Sequence, residues 1–118
     1  MSTLALLPDE AAIKTYEEDS IQALTFATME CHYFVNHCFF GPDTYLLEKA
    51  REIDHIPCRI VQGRFDVVCP ASAAWNLTKA MPSAELRIVQ AAGHSPFEKG
   101  TVSELVQATD DFKSLFVK

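Results

Sequence analysis

Two short β-prone runs, Cys58-Arg59-Ile60-Val61 and Glu85-Leu86-Arg87-Ile88-Val89, stand on either side of a stretch with helical patterning. The first is entered through Ile56-Pro57 and the second through Met81-Pro82-Ser83, so each begins at a proline-marked turn. Between them, Ser72 is suited to cap a helix, Ala73, Ala74, Trp75, Leu77 and Ala80 give it an apolar side, and Pro82 ends it. A last helix is expected from about Val102 to Phe116. This β-α-β-α order predicts an α/β fold with two parallel strands and flanking helices, because parallel neighbours need a crossover connection.

Each run leads into a short loop, Gly63-Arg64-Phe65-Asp66 in one case and Gly93-His94-Ser95 in the other. A glycine just before each functional residue is expected to let the backbone turn sharply at a strand end. Ligands of parallel sheets gather outside the carboxyl ends of the strands, so Asp66 and His94 are predicted to meet at one edge. A carboxylate that accepts the Nδ1 proton of an imidazole fixes its tautomer and stabilises the imidazolium formed during catalysis. An Asp after one strand and a His after the next follow the chain order of a Ser…Asp…His triad. No Gly-x-Ser-x-Gly occurs among the 118 residues, and none of the serines stands in a strand-to-helix elbow. The pattern therefore supplies the acid and the base of a triad without its nucleophile.

The run from Ile56-Pro57-Cys58-Arg59-Ile60-Val61-Gln62-Gly63-Arg64-Phe65-Asp66 to Val67-Val68-Cys69-Pro70, with Ala74-Trp75 and Ala91-Ala92-Gly93-His94-Ser95, resembles the C-terminal part of proline iminopeptidases (prolyl aminopeptidases), α/β-hydrolases. Glu30-Cys31-His32-Tyr33-Phe34-Val35-Asn36 resembles the helical cap segment of that family. The resemblance implies a partial α/β-hydrolase fold: a cap remnant over residues 1–54, then a β-α-β-α portion over residues 55–118. It implies Asp66 as triad acid, His94 as triad base, and a peptide with N-terminal proline as the substrate of the parent enzyme. The chain departs from the family at Gln62, Phe65 and Cys31, where His, Tyr and Asn are usual. The family's nucleophile elbow and oxyanion-hole loop lie upstream of the cap segment, so this chain alone is expected to be inactive.

The cap segment has a reading of its own. From a cap at Ser20, residues Ile21, Leu24, Ala27, Cys31, Val35 and Cys38 fall on one stripe at helical spacing, the expected core face. The opposite face carries Phe26, Glu30, Tyr33 and His37. A single carboxylate among aromatic rings suits a cation next to an apolar ring, although a helix buried on both sides with Glu30 paired to an arginine gives the same pattern. The family resemblance selects the first: Glu30 is expected to hold the substrate's free α-amino group, with Tyr33 and Phe26 as pocket walls.

Other features carry less chemistry. Cys31, His32, His37 and Cys38 point in several directions on one helix and lack a paired Cys-x-x-Cys spacing, so no metal site is expected. Cys58 and Cys69, which flank a strand and its loop, read as small buried thiols of the core or as a disulfide pair, with no sign of an oxidising compartment. Glu98 is placed to orient the His94 loop or cap the last helix, and Thr101 with Glu104 fits a capping box there. Arg64 is expected to brace its loop rather than bind a substrate carboxylate. Glu17-Glu18-Asp19 reads as a solvated helix boundary, and Gly41-Pro42-Asp43 as a hinge that ends the cap helix and starts another near Tyr45 to Ile53.

A formal charge of −6 argues against nucleic-acid or anionic-membrane partners. The apolar run Leu4 to Leu7 is stopped by Pro8 and is too short to span a membrane. No cofactor is implied, and a cytoplasmic location is the default. A two-stranded parallel unit leaves sheet edges and helix faces uncovered, which predicts self-association or a missing N-terminal half. Two other readings compete: a non-catalytic truncated or interaction module, and part of another α/β-hydrolase such as an esterase or epoxide hydrolase.

Overall fold

The computed structural model describes residues 20–116 and, before them, Ala5, Leu6, Glu10, Ala11, Ile13 and Lys14. The acidic run Glu17-Glu18-Asp19 lies outside the described residues, as do Leu4 and Leu7 of the N-terminal apolar run. Helix α1 covers Ser20–Val35 and α2 covers Tyr45–Lys49; strand β1 is Arg59–Gly63, α3 is Ala71–Ala80, β2 is Glu85–Val89 and α4 is Lys99–Phe116. Short 3-10 turns occur at His37–Phe39 and Ala50–Ile53.

β1 and β2 pair in parallel, with Arg59 opposite Glu85 and Gly63 opposite Val89. The side chains of the first register pair meet: Arg59 donates from Nε and Nη2 to Glu85 Oε2 at 2.9 and 2.6 Å. Arg59 also pairs with Asp111 of α4 and lies 5.6 Å from the centre of the Phe112 ring. Arg87 binds Glu85 at 2.8 Å and Glu104 of α4 at 2.9 Å. Charged residues at alternate strand positions thus tether α4 across one face of the sheet. Each such partly exposed pair is worth only about 0–1 kcal/mol, so the network orients α4 more than it stabilises it.

Two helix starts differ from the sequence expectation. α3 begins at Ala71 behind Pro70, where no side chain caps it, and Ser72 stands exposed within the first turn. The Pro70 carbonyl accepts from Ala73 N at 2.8 Å, so the backbone itself closes the turn. α4 begins at Lys99, which puts Thr101 inside the helix. The capping box with Glu104 therefore does not form: Glu104 is drawn to Arg87 and the buried Thr101 Oγ1 finds no partner. The Tyr45-to-Ile53 expectation matches α2 and the 3-10 turn that follows it. This segment is fastened to the β-α-β unit by Asp54, whose Oδ1 accepts from Ser83 N at 3.0 Å and from Ser83 Oγ at 2.6 Å.

The elements approach through small residues. Ala74 of α3, Ala92, Ala108 of α4, Ala50 and Met81 are buried, and among the described residues no large side chain is completely enclosed. At Gly100 a Cβ would come within 2.7 Å of Val89 Cγ1, so α4 lies close on β2. Trp75, placed on the apolar side of α3 by its spacing, instead faces outward under the Lys79 ammonium at 4.6 Å.

The stripe of α1 is corrected more strongly. Ile21, Leu24 and Val35 are 80, 69 and 75% exposed, and Ala27 and Cys31 are exposed with them. Among the described elements α1 packs only on the 37–39 turn. Periodicity marks a face fit for burial, but burial needs a partner surface, and these residues provide none. His37 and Cys38 also leave the helix. His37, Cys38 and Phe39 have φ values of 49, 54 and 59°, a left-handed turn that costs L-residues roughly 1–2 kcal/mol each. The turn folds Phe39 back onto His32 and Tyr33, with ring centres 5.4 and 5.6 Å apart, which offsets part of that cost.

Candidate active site

The two loops predicted to converge do so because pairing continues beyond the strands. Arg64 N donates to Val89 O at 3.0 Å and Phe65 N donates to Ala92 O at 2.9 Å. A Cβ at Gly63 would lie 2.0 Å from the Gly93 carbonyl oxygen. The glycine at the end of β1 is thus required for close approach of the loops; neither it nor Gly93 has a positive φ, so left-handed backbone freedom is not what these glycines supply.

His94 Nδ1 lies 3.1 Å from both Asp66 carboxylate oxygens. An ionised carboxylate only accepts, so Nδ1 is the donor in this contact and Nε2 is the ring nitrogen left outside it. The carboxylate is held on its other side by backbone amides: Asp66 Oδ1 accepts from Val68 N at 3.0 Å and Cys69 N at 2.8 Å. Burial is the largest single influence on the Asp66 carboxyl and pushes it up. The hydrogen bonds from Cys69, His94 and Val68 together outweigh burial and hold it below the usual carboxylate range. Its side chain is 8% exposed and that of His94 20%, so the acid is shielded while the base is reachable.

Gln62 is a contributor that sequence reasoning treated as a neutral departure. Its Nε2 donates to Asp66 Oδ2 at 3.3 Å, to Gly63 O at 3.1 Å and to Cys69 O at 3.0 Å, closing the Asp66 loop on itself. The signal available in the sequence was an amide four residues before the acid. Cys69 was read as a core thiol but is exposed at this rim. Its sulfur and donor atoms of Asp66 and His94 lie within 4.8 Å of one another, the one such group of three among the described residues. All four cysteines are free thiols.

The flanking residues divide between support and separation. Arg64 donates to Gln90 Oε1 at 2.5 Å and braces the two loops, as expected, though through an amide and not through Asp66. Glu98 orients the His94 loop: its Oε1 accepts from Gly93 N at 2.7 Å and its Oε2 from Leu6 N at 3.1 Å. Glu30, Tyr33 and Phe26 lie on α1, all exposed, and α1 does not touch the strands or α3. The structure therefore brings Asp66 and His94 together and leaves Glu30, Tyr33 and Phe26 outside that contact. Among the described residues Glu30 pairs with no Lys or Arg, so the alternative of an arginine-paired Glu30 is not realised. A hollow of about 290 Å³ near Phe34, Phe40, Asp43 and Tyr45 involves neither the Asp66 loop nor the His94 loop. Among the described residues, no helix is long and apolar enough to cross a membrane.

No protein-family model matches the chain. Curated proteins do. The chain is 48% identical over 111 residues, 94% of its length, to a probable proline iminopeptidase of Leptolyngbya boryana, covering 34% of that protein. It is 48% identical over 115 residues, 98% of its length, to a proline iminopeptidase of Arabidopsis thaliana, covering 30% of it. A proline iminopeptidase of Xanthomonas citri is 53% identical over 98 residues, 83% of this chain and 31% of that protein. The chain thus spans about a third of the length of these relatives, and the third it resembles is the C-terminal one.

Proposed function

We propose that this chain carries the acid and base of a serine aminopeptidase that releases N-terminal proline from peptides. The nucleophile belongs to a part of the relatives that these residues do not match. The observation that carries the reading is the Asp66–His94 contact at 3.1 Å within a sequence about half identical to proline iminopeptidases. In the proposed reaction, His94 Nε2 takes the proton of a serine hydroxyl as its oxygen attacks the prolyl carbonyl carbon. The proton then passes to the leaving amine as the carbon–nitrogen bond breaks. Water, deprotonated by the same nitrogen, cleaves the acyl-enzyme and frees proline. Asp66 holds the Nδ1 proton throughout and stabilises the transient imidazolium.

Glu30 is assigned to the cationic amine of the substrate, and Tyr33 and Phe26 to the sides of the prolyl ring. Support comes from the unpaired carboxylate and the half-exposed rings, which are 49 and 46% exposed. The cap remnant, residues 1–54, would then carry recognition, and residues 55–118 chemistry. By itself the chain is expected to show no turnover, since its sequence holds no Gly-x-Ser-x-Gly elbow to supply the attacking hydroxyl.

A chimera tests this reading: the matching C-terminal third of the Xanthomonas citri protein is replaced by this chain. Hydrolysis of a prolyl amide that disappears with His94→Ala is the expected result. A folded chimera without such hydrolysis refutes the assignment. Faster turnover of simple esters or epoxides than of the prolyl amide would favour a different hydrolase.

A further inference from the structure

We infer that Asp66, Cys69 and His94 form a binding site for a thiophilic divalent cation of the zinc type, in direct competition with the acid–base dyad. The donors are one carboxylate oxygen, one thiol sulfur and one imidazole nitrogen, within 4.8 Å of one another. Three ligands on one zinc at about 2.0–2.3 Å stand roughly 3.3–3.8 Å apart. His94 and Asp66 meet at 3.1 Å, so closing the set asks for a swing of the Cys69 side chain and a slight opening of the His94–Asp66 contact. That side chain is exposed and free to turn, whereas its backbone is pinned, with N bonded to Asp66 Oδ1 and O to Gln62.

Charge and softness select the cation. The set supplies a carboxylate oxygen, an imidazole nitrogen and a thiol sulfur, and the thiol proton leaves to solvent as the metal–sulfur bond forms. Two negative ligands neutralise a divalent ion, and sulfur with nitrogen favours zinc over calcium or magnesium. Three protein ligands leave a fourth position for water. Gln62, which holds Asp66 Oδ2 and the Cys69 carbonyl, fixes two of the three ligands from behind.

The cation and the dyad exclude each other whichever ring nitrogen binds. Coordination through Nδ1 moves its proton to Nε2 and ends the bond to Asp66. Coordination through Nε2 occupies the lone pair that serves as base. The site depends on these donors alone, so it stands or falls independently of the peptidase reading.

Cobalt is the probe, because thiolate ligation gives a near-ultraviolet charge-transfer absorption that oxygen and nitrogen ligands do not. Co²⁺ added to the reduced 118-residue chain is expected to produce that band at one equivalent, and Zn²⁺ to abolish it by displacement. Loss of a hydrogen-bonding partner of a metal ligand costs roughly 10–100-fold in affinity, and Cys69→Ser, which removes a ligand, should cost at least that and erase the band. His94→Ala should weaken binding comparably, while Cys31→Ser, Cys38→Ser and Cys58→Ser leave it unchanged. Absence of the band in the unaltered chain, its survival in Cys69→Ser, or its loss in Cys58→Ser overturns the proposal. Circular dichroism of each variant shows that the fold is retained, and Cys69→Ala repeats the test if the serine variant is not folded.

Discussion

Asp66 and His94, 28 positions apart in sequence, share a proton across 3.1 Å because Gly63 lets the loop after β1 press against the backbone of Gly93. The carboxylate is held by two amides and a glutamine before it meets the imidazole. Its position is therefore set by one loop, and the orientation of the ring by the other. Such preorganisation is what the role proposed for His94 as general base requires, since the ring need not search for its orientation.

Asp66→Asn should preserve the shape and remove the acceptor. In the chimera, kcat for a prolyl amide is expected to fall by about 10⁴-fold with little change in KM, the scale set by the same substitution in another Ser-His-Asp triad. Steady-state kinetics decide, and a fall of only a few-fold would exclude Asp66 as the orienting acid.

Stability should depend on pH through the same carboxyl. Burial raises it, but the bonds from Cys69, His94 and Val68 win, so its folded value lies below the unfolded one, near 4. A group lowered in this way stabilises the fold above the unfolded value and loses that contribution as pH falls through the folded one. The stability gap between the unaltered chain and Asp66→Asn is expected to be widest near neutrality and to shrink below about pH 4. Urea unfolding at several pH values measures it; a gap constant down to pH 3 would contradict the bond pattern.

Gly63→Ala is predicted to destabilise by about 1–3 kcal/mol, the usual range for overpacking. The added Cβ meets a backbone carbonyl at 2.0 Å, which cannot rotate away as a side chain would. Thermal melting of the two proteins checks this. An unchanged midpoint would mean that the loops separate at no cost.

Glu30→Gln in the chimera should raise KM for substrates with a free N-terminal proline by about 10–100-fold, equivalent to the roughly 1.5–3 kcal/mol of a charge-assisted bond. Little change is expected in kcat. Equal loss on an N-blocked substrate would show that Glu30 does not hold the amine.

The exposed faces predict association. Ile21, Leu24 and Val35 on α1, with Leu105, Val106 and Leu115 on α4, stand open. Sedimentation of the isolated chain should show concentration-dependent oligomers. A monodisperse monomer that melts cooperatively would refute the expectation.

The sequence by itself determined the β-α-β-α order, both strands to within two residues, and the pairing of an acid with a base. These follow from local punctuation: prolines enter each run, and the functional residues come just after each strand. It was weaker on interior caps, where Pro70 and Lys99 displaced Ser72 and Thr101, because a neighbour such as Arg87 can claim a side chain that propensity assigns elsewhere. Only the tertiary structure decided that Gly63 serves close approach, that Gln62 locks the acid, that Cys69 lies at the rim of the site, and that the stripe of α1 is unburied. Each depends on which backbone comes near which, a property of packed elements that no periodicity in one segment encodes.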